Sequence, residues 1–256
     1  DLQPVLETLV GHHVLTRSGA PPGYSFQHQQ FQEWYASHFV GRLMLASIGD
    51  AGSLERLKAD VLNQPAWEEP ILFACERLAR GGTKEEEACA AAILSAFEVD
   101  AMLAAEMIFR GNDAVWARIG GNIAERIRRW HKPGRVDRAV RFMIASGRPE
   151  FADLVWPLIS HENDQVHLSA LRASRRFRPS ILGDDASRKI EAVPLEIRKN
   201  VLLEIADNSG MDGMDLATAI AKSDPEPDVK ATVVEALAFR RADRHIAEIL
   251  RSADDR

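Results

Sequence analysis

The feature that most constrains this chain is a helical apolar period, broken at short intervals by glycine and proline. Phe31, Trp34, Tyr35 and His38 fall at i, i+3, i+4 and i+7, one face of a helix. The period continues through candidate helices at roughly 28–47, 52–63, 66–80, 84–97, 100–110, 113–130, 134–147, 150–160, 164–177, 185–193, 195–207, 213–222, 227–241 and 243–252. Gly81-Gly82, Lys132-Pro133-Gly134, Gly147-Arg148-Pro149, Ser209-Gly210 and Asp224-Pro225-Glu226-Pro227 separate them. Strand signals are confined to 14–16 and 24–26, on either side of Ser18-Gly19-Ala20-Pro21-Pro22-Gly23. Many short helices with short connections make an all-α bundle or an α-solenoid. A leading helix, two short strands and a Gly/Pro loop read as the tail of a winged-helix domain.

Internal offsets favour the solenoid. Val166-His167, Ile197-Arg198 and Val229-Lys230 each precede an apolar pair four and five residues on, and they are spaced by 31 and 32 positions. Ile159, Ile190 and Ile220, in the preceding helices, are spaced by 31 and 30. A hairpin of this length has an apolar stripe that it buries only by stacking on its neighbours. The set resembles HEAT repeats. The expected division is 1–45, the end of a winged-helix domain; 46–149, irregular helical repeats; and 150–256, HEAT-like repeats.

Composition sets outer limits. With 256 residues, 46% of them apolar, the chain has enough apolar side chain to fold. No run of about 18 apolar residues exists, so no membrane partner is expected. The N-terminus has no secretory pattern. The first residue is Asp1, which reads as the start of a piece of a longer protein. Cys75 and Cys89 lie in Ala-rich helical stretches and read as small buried side chains in a reducing, cytoplasmic compartment. The net charge of −6 argues against a general nucleic-acid binder.

Residues 24–36 read Tyr-Ser-Phe-Gln-His-Gln-Gln-Phe-Gln-Glu-Trp-Tyr-Ala. Phe26, His28, Phe31, Gln32, Glu33, Trp34 and Ala36 match a Phe-x-His-x-x-Phe-Gln-Glu-aromatic-x-Ala stretch. In this respect the chain resembles the end of the winged-helix domain in NACHT-type signalling NTPases of the STAND class. The match covers about residues 1–45 of the chain, and a helical sensor region following it is usual in that class. The resemblance implies that His28 contacts the β-phosphate of ADP and reports nucleotide state. It also implies an upstream NTPase domain with ADP or ATP and Mg, a trigger bound by the solenoid, and a role in signal transduction or antiviral defence. By residue chemistry alone, a ring N–H at this helix start can meet an anion, but the favoured reading of His28 is structural, as a helix cap or a partner for a backbone carbonyl. Phe31, Trp34 and Tyr35 are expected to lock the helix under the wing.

The chain itself is not expected to be an enzyme. Gly81-Gly82-Thr83-Lys84 lacks the first glycine and the spacing of a phosphate loop and reads as a helix end and turn. There is no Gly-x-Ser-x-Gly, His-Glu-x-x-His or Cys-x-x-Cys, so neither a nucleophile nor a metal site is expected. Glu85-Glu86-Glu87 opens a helix, where negative charge complements the dipole.

Between residues 125 and 148 lie eight basic residues, including Arg126, Arg128, Arg129, Arg135, Arg138 and Arg141, against Glu125 and Asp137. A second cluster holds Arg172, Arg175, Arg176 and Arg178. Arginines like these either cover apolar side chains on a solvated helix face or, if both clusters share one face, hold an acidic protein or the phosphates of a nucleic acid. Trp67, Phe73, Trp116 and Trp156 fall on apolar stripes and are expected in the core. Two further functions fit the same residues: a stand-alone HEAT-repeat interaction scaffold, and, less well, a nucleic-acid-binding HEAT protein.

Overall fold

The computed structural model describes residues 2–19, 21 and 23–254. Ala20 and Pro22, in the expected Gly/Pro loop, lie outside the described residues, as does Asp1. The chain is 76% helical, with fifteen α-helices and one two-stranded sheet among the described residues, so the class is all-α. Two compact units form, Asp1–Ile119 and Gly120–Arg256.

The first unit starts with α1 (Gln3–Gly11), β1 (Leu15–Ser18) and β2 (Gly23–Phe26). The strands pair antiparallel, with Leu15 opposite Phe26 and Ser18 opposite Gly23. α1 buries none of its residues, and in β1 only Leu15 is buried. α2 (Gln29–Ser47) packs on α4 (Glu68–Ala79) and α5 (Thr83–Val99) through Val40, Leu43 and Met44. Gly41 lies where α2 meets the Arg77 guanidinium, and a Cβ there would collide with Nη2. The missing side chain lets Arg77 donate to the Ser37 carbonyl at 3.0 Å.

The expected 52–63 helix forms as α3 (Ala51–Arg56) followed by a π-helical turn, Leu57–Leu62. Asp50 caps α3 by accepting from the Ser53 N–H at 2.8 Å. The extra residue in the π turn brings Leu57, Val61 and Leu62 into the core together. Asp100 caps α6 (Ala101–Arg110) in the same way, accepting from Met102 N–H at 2.8 Å. α4, α5 and α6 are rich in alanine and pack closely around Cys75 and Cys89. Those two thiols are free, fully buried and 2.9 Å apart.

The division between units falls within α7 (Asp113–Trp130). In the second unit, α8 spans Arg138–Ser146, starting four residues later than its apolar period suggests. Gly134, at φ 74°, reverses the chain, and Asp137 then caps α8 by accepting from Val140 N–H at 3.1 Å. α9 (Ala152–Ile159) is followed by α10 (Asp164–Leu171), which ends six residues short of the expected 177. The cause is Phe177. Its side chain is fully buried and its N–H is bonded to Asn208 C=O at 2.9 Å, so the chain must leave the helix to reach it.

α11 (Ala186–Glu191), α12 (Leu195–Asn208), α13 (Met211–Ser223), α14 (Pro227–Phe239) and α15 (Asp243–Asp254) complete the unit. α10 touches α12 and α12 touches α14; α11 touches α13 and α13 touches α15. Cross-contacts from α11 to α12, α12 to α13, α13 to α14 and α14 to α15 join the two rows. Ile159, Ile190 and Ile220, the residues spaced at 31 and 30, are all buried. Ala170-Leu171 and Val201-Leu202 are buried as pairs, and so is Val233. Arg198 extends from α12 to Asp224 before α14, Nη1 to Oδ2 at 2.7 Å, with Asp224 fully buried. Asp224 Oδ1 also accepts from Glu226 N–H at 2.9 Å, so one carboxylate both pairs the arginine and shapes the turn.

Candidate functional site

His28 is the residue immediately before α2, with extended backbone at φ −127° and ψ 137°. Its ring is exposed and makes no side-chain capping hydrogen bond. It lies against Phe31, ring centroids 5.8 Å apart. The other motif residues line the same stretch without entering the core. Phe26 stacks on Tyr35 at 5.6 Å, Tyr35 meets Trp34 edge-on at 5.0 Å, and Gln29 donates to Glu33 at 2.6 Å. The Phe26–Tyr35 stack joins β2 to α2. Phe31, Trp34, Tyr35 and Phe39 remain 38–47% exposed.

Beyond this aromatic face is a cleft of about 310 Å³ lined by Trp34, Ser37, Phe73, Glu76, Arg77 and Arg80. Glu76 holds Arg80 at 2.5 Å and Arg110 at 3.3 Å, so its charge is already neutralised. His38 meets Trp34 edge-on at 4.5 Å. Burial, then the Arg77 and Arg42 guanidiniums, hold its imidazole below the usual range and favour the neutral ring.

The structure brings part of the two arginine clusters together. Arg135, in the loop before α8, Arg141, on α8, and Arg172, at the end of α10, line one cleft of about 590 Å³. Val136, Val166, Leu168, Ser169 and Ala173 supply much of its remaining wall, and no carboxylate lines it. The other candidates lie outside this wall. Arg129 pairs with Glu125 on α7, and Arg128 donates to Glu150 C=O at 3.5 Å. Arg126 is exposed on the same helix, and Arg138 lies over the Trp130 ring at 5.7 Å. Arg175 and Arg176 are exposed in the bend after α10.

Asp137 closes the loop that carries Arg135. Its Oδ2 accepts from Lys132 N–H at 2.7 Å while Oδ1 caps α8. Burial raises this carboxyl, but the two N–H donors and His131 outweigh it, and its pKa lies below the usual aspartate value. Behind Arg172 stands Glu204 of α12, at 3.8 Å. Burial raises the Glu204 carboxyl despite its bonds to Asn208 and Arg172.

No family model, no curated protein and no solved structure matches the chain. Site assignment therefore rests on geometry. Among the described residues no group of three His, Cys, Asp or Glu could hold a metal ion, and no helix is long and apolar enough to cross a membrane. The adjacent Cys89 thiol, then burial, push the Cys75 thiol well up, which removes it as a nucleophile. Of the four aromatics expected in the core, Trp116 is buried, while Trp67, Phe73 and Trp156 are half-buried. Sequence reasoning counted Arg141 in a charge cluster without choosing it as a site residue, and it missed Ser169. The available signal was the helix period: Arg141 falls opposite the buried Val140-Phe142-Met143 face, pointing outward at the cleft.

Proposed function

We propose that the chain is the sensor and autoinhibitory helical region of a NACHT-type STAND ATPase. In this reading, His28 reports ADP bound to an upstream NTPase domain. The helical hairpins, read as HEAT-like repeats forming a solenoid, bind a trigger and shift the closed–open balance. The observation that carries the reading is the His28 ring. It stands exposed at the start of α2, uncommitted to capping, beside aromatic side chains with open faces. A ring N–H at a helix N-terminus is well placed to bind a phosphate brought by another domain. The exposed Phe31, Trp34 and Tyr35 provide that domain with an apolar seat. The two rows of helices in the second unit are the arrangement that stacked hairpins adopt, which supports the repeat reading.

The test uses the intact native protein. It is purified and denatured, and released adenine nucleotide is quantified for wild type and His28→Ala. Stoichiometric ADP in wild type and a reduced amount in the variant is the expected result. Nucleotide absent from folded wild type would overturn the reading in favour of an interaction scaffold. Equal nucleotide in both would keep the ATPase and return His28 to a structural role.

A further inference from the structure

We propose that the cleft of Arg135, Arg141 and Arg172 binds a small phosphorylated molecule, its phosphates on the guanidiniums and its apolar portion on Val136 and Leu168. The inference is independent of the nucleotide-switch reading, because this cleft belongs to the second unit and shares no residue with the His28 region.

Charge supplies the first argument. Three arginines, Arg135, Arg141 and Arg172, line one cleft that no carboxylate lines. Several other arginines are neutralised by carboxylates: Arg198 pairs with Asp224, Arg188 with Asp185 and Arg110 with Glu76. Arg135 and Arg141 make no ion pair among the described residues. Arg172 has only Glu204, at the long distance of 3.8 Å. Like charges gathered without counterions repel, and a bound dianion converts that repulsion into attraction. Guanidinium forks fit phosphate oxygens two at a time, and the Ser169 hydroxyl adds another donor.

Shape and total charge select the size of the ligand. A cleft of about 590 Å³ is in the range of small-molecule sites. Its apolar wall has no use for inorganic phosphate alone and fits a phosphate ester with an organic body. A long polyanion would have to cross the surface of a chain whose net charge is −6, whereas a small ester meets only the basic cleft. The site is also built. Gly134 turns the chain, and the two hydrogen bonds of Asp137 fix both ends of the loop that presents Arg135. Asp137 is a positioning residue.

The test is calorimetric titration of this 256-residue chain with sodium pyrophosphate, with AMP, and with adenosine as control. AMP is expected to saturate one site, pyrophosphate to bind the same site more weakly, and adenosine to give no binding. Arg135→Ala and Arg141→Ala should each weaken AMP by about tenfold or more, the usual loss for a charged hydrogen bond. Arg135→Lys should restore part of it, while Arg128→Ala leaves it unchanged. Circular dichroism checks folding, and if Arg141→Ala unfolds, the two Arg135 variants decide, since Arg135 is exposed in a loop. Absence of binding by both phosphates at millimolar concentration would overturn the proposal. So would equal weakening by Arg128→Ala, or a phosphorylated oligonucleotide that binds tightly and is not displaced by AMP.

Discussion

The start of the first unit and the helix rows of the second bury their apolar side chains to different extents. α1 buries nothing, and the first half of α2 leaves Phe31, Trp34, Tyr35 and Phe39 more than a third exposed. In α12 and α14, by contrast, Ile197, Val201, Leu202, Ile205, Val229, Val233 and Leu237 are buried, while Leu203 and the terminal Phe239 are exposed. Composition does not explain the difference, since both stretches are rich in large apolar residues. Neighbours do. Helices in the rows touch others in the same row and in the neighbouring one, whereas the early part of α2 meets Phe26 of β2 through Tyr35 and Arg77 of α4 through Ser37. An apolar stripe becomes core only where a second stripe meets it.

The largest expected effect is in the rows. Asp224→Ala leaves Arg198 buried without its partner and should cost about 3–5 kcal/mol in urea unfolding. A loss below about 1 kcal/mol would mean that this pair does not hold α12 to α14. Phe177→Ala should cost a similar ~3–5 kcal/mol, through the cavity left by a fully buried ring. Gly147, at φ 61°, closes α8, and Gly147→Ala should cost about 1 kcal/mol because a Cβ is strained there.

Asp137 gives a smaller, pH-dependent effect. Its folded pKa lies below the ordinary 3.8, so its contribution is present at neutral pH and is lost as pH falls through 3.8 toward the folded value. Asp137→Asn should therefore flatten the fall in stability measured below about pH 4. An unchanged acid profile would show that the loop is held by other contacts. The smallest expected effect is at the aromatic face. Phe31→Ala and Trp34→Ala should shift the stability of this chain by no more than about 0.5–1 kcal/mol. A loss of several kcal/mol would erase the contrast between the two regions.

Much of the fold was legible because helix periodicity and its breakers are local properties. α2, α7 and α12 begin and end within one residue of their expected spans, and the only two strands described fall where the β-branched and aromatic fragments lie. Errors came where a contact outside the helix pattern, distant in one case and within a loop in the other, overrode the apolar period. Phe177 ended α10 early by reaching Asn208, and Asp137 delayed α8 by closing a loop onto Lys132. The site was legible only as composition. Two arginine clusters stood out in the sequence; Glu125 four positions before Arg129 marked that arginine as paired, but no local pattern marked Arg135 as lining a cleft with Arg172.

By itself, then, the sequence determined the helical class and most element boundaries, which depend on residues within a few turns of each other, and it carried the recurrence of Ile159, Ile190 and Ile220 at 31 and 30 positions. Tertiary structure alone decided which apolar stripes found partners and which three arginines line one cleft. Those outcomes depend on distances between residues some 30 or more positions apart, such as Arg141 and Arg172, and a linear pattern does not encode such distances.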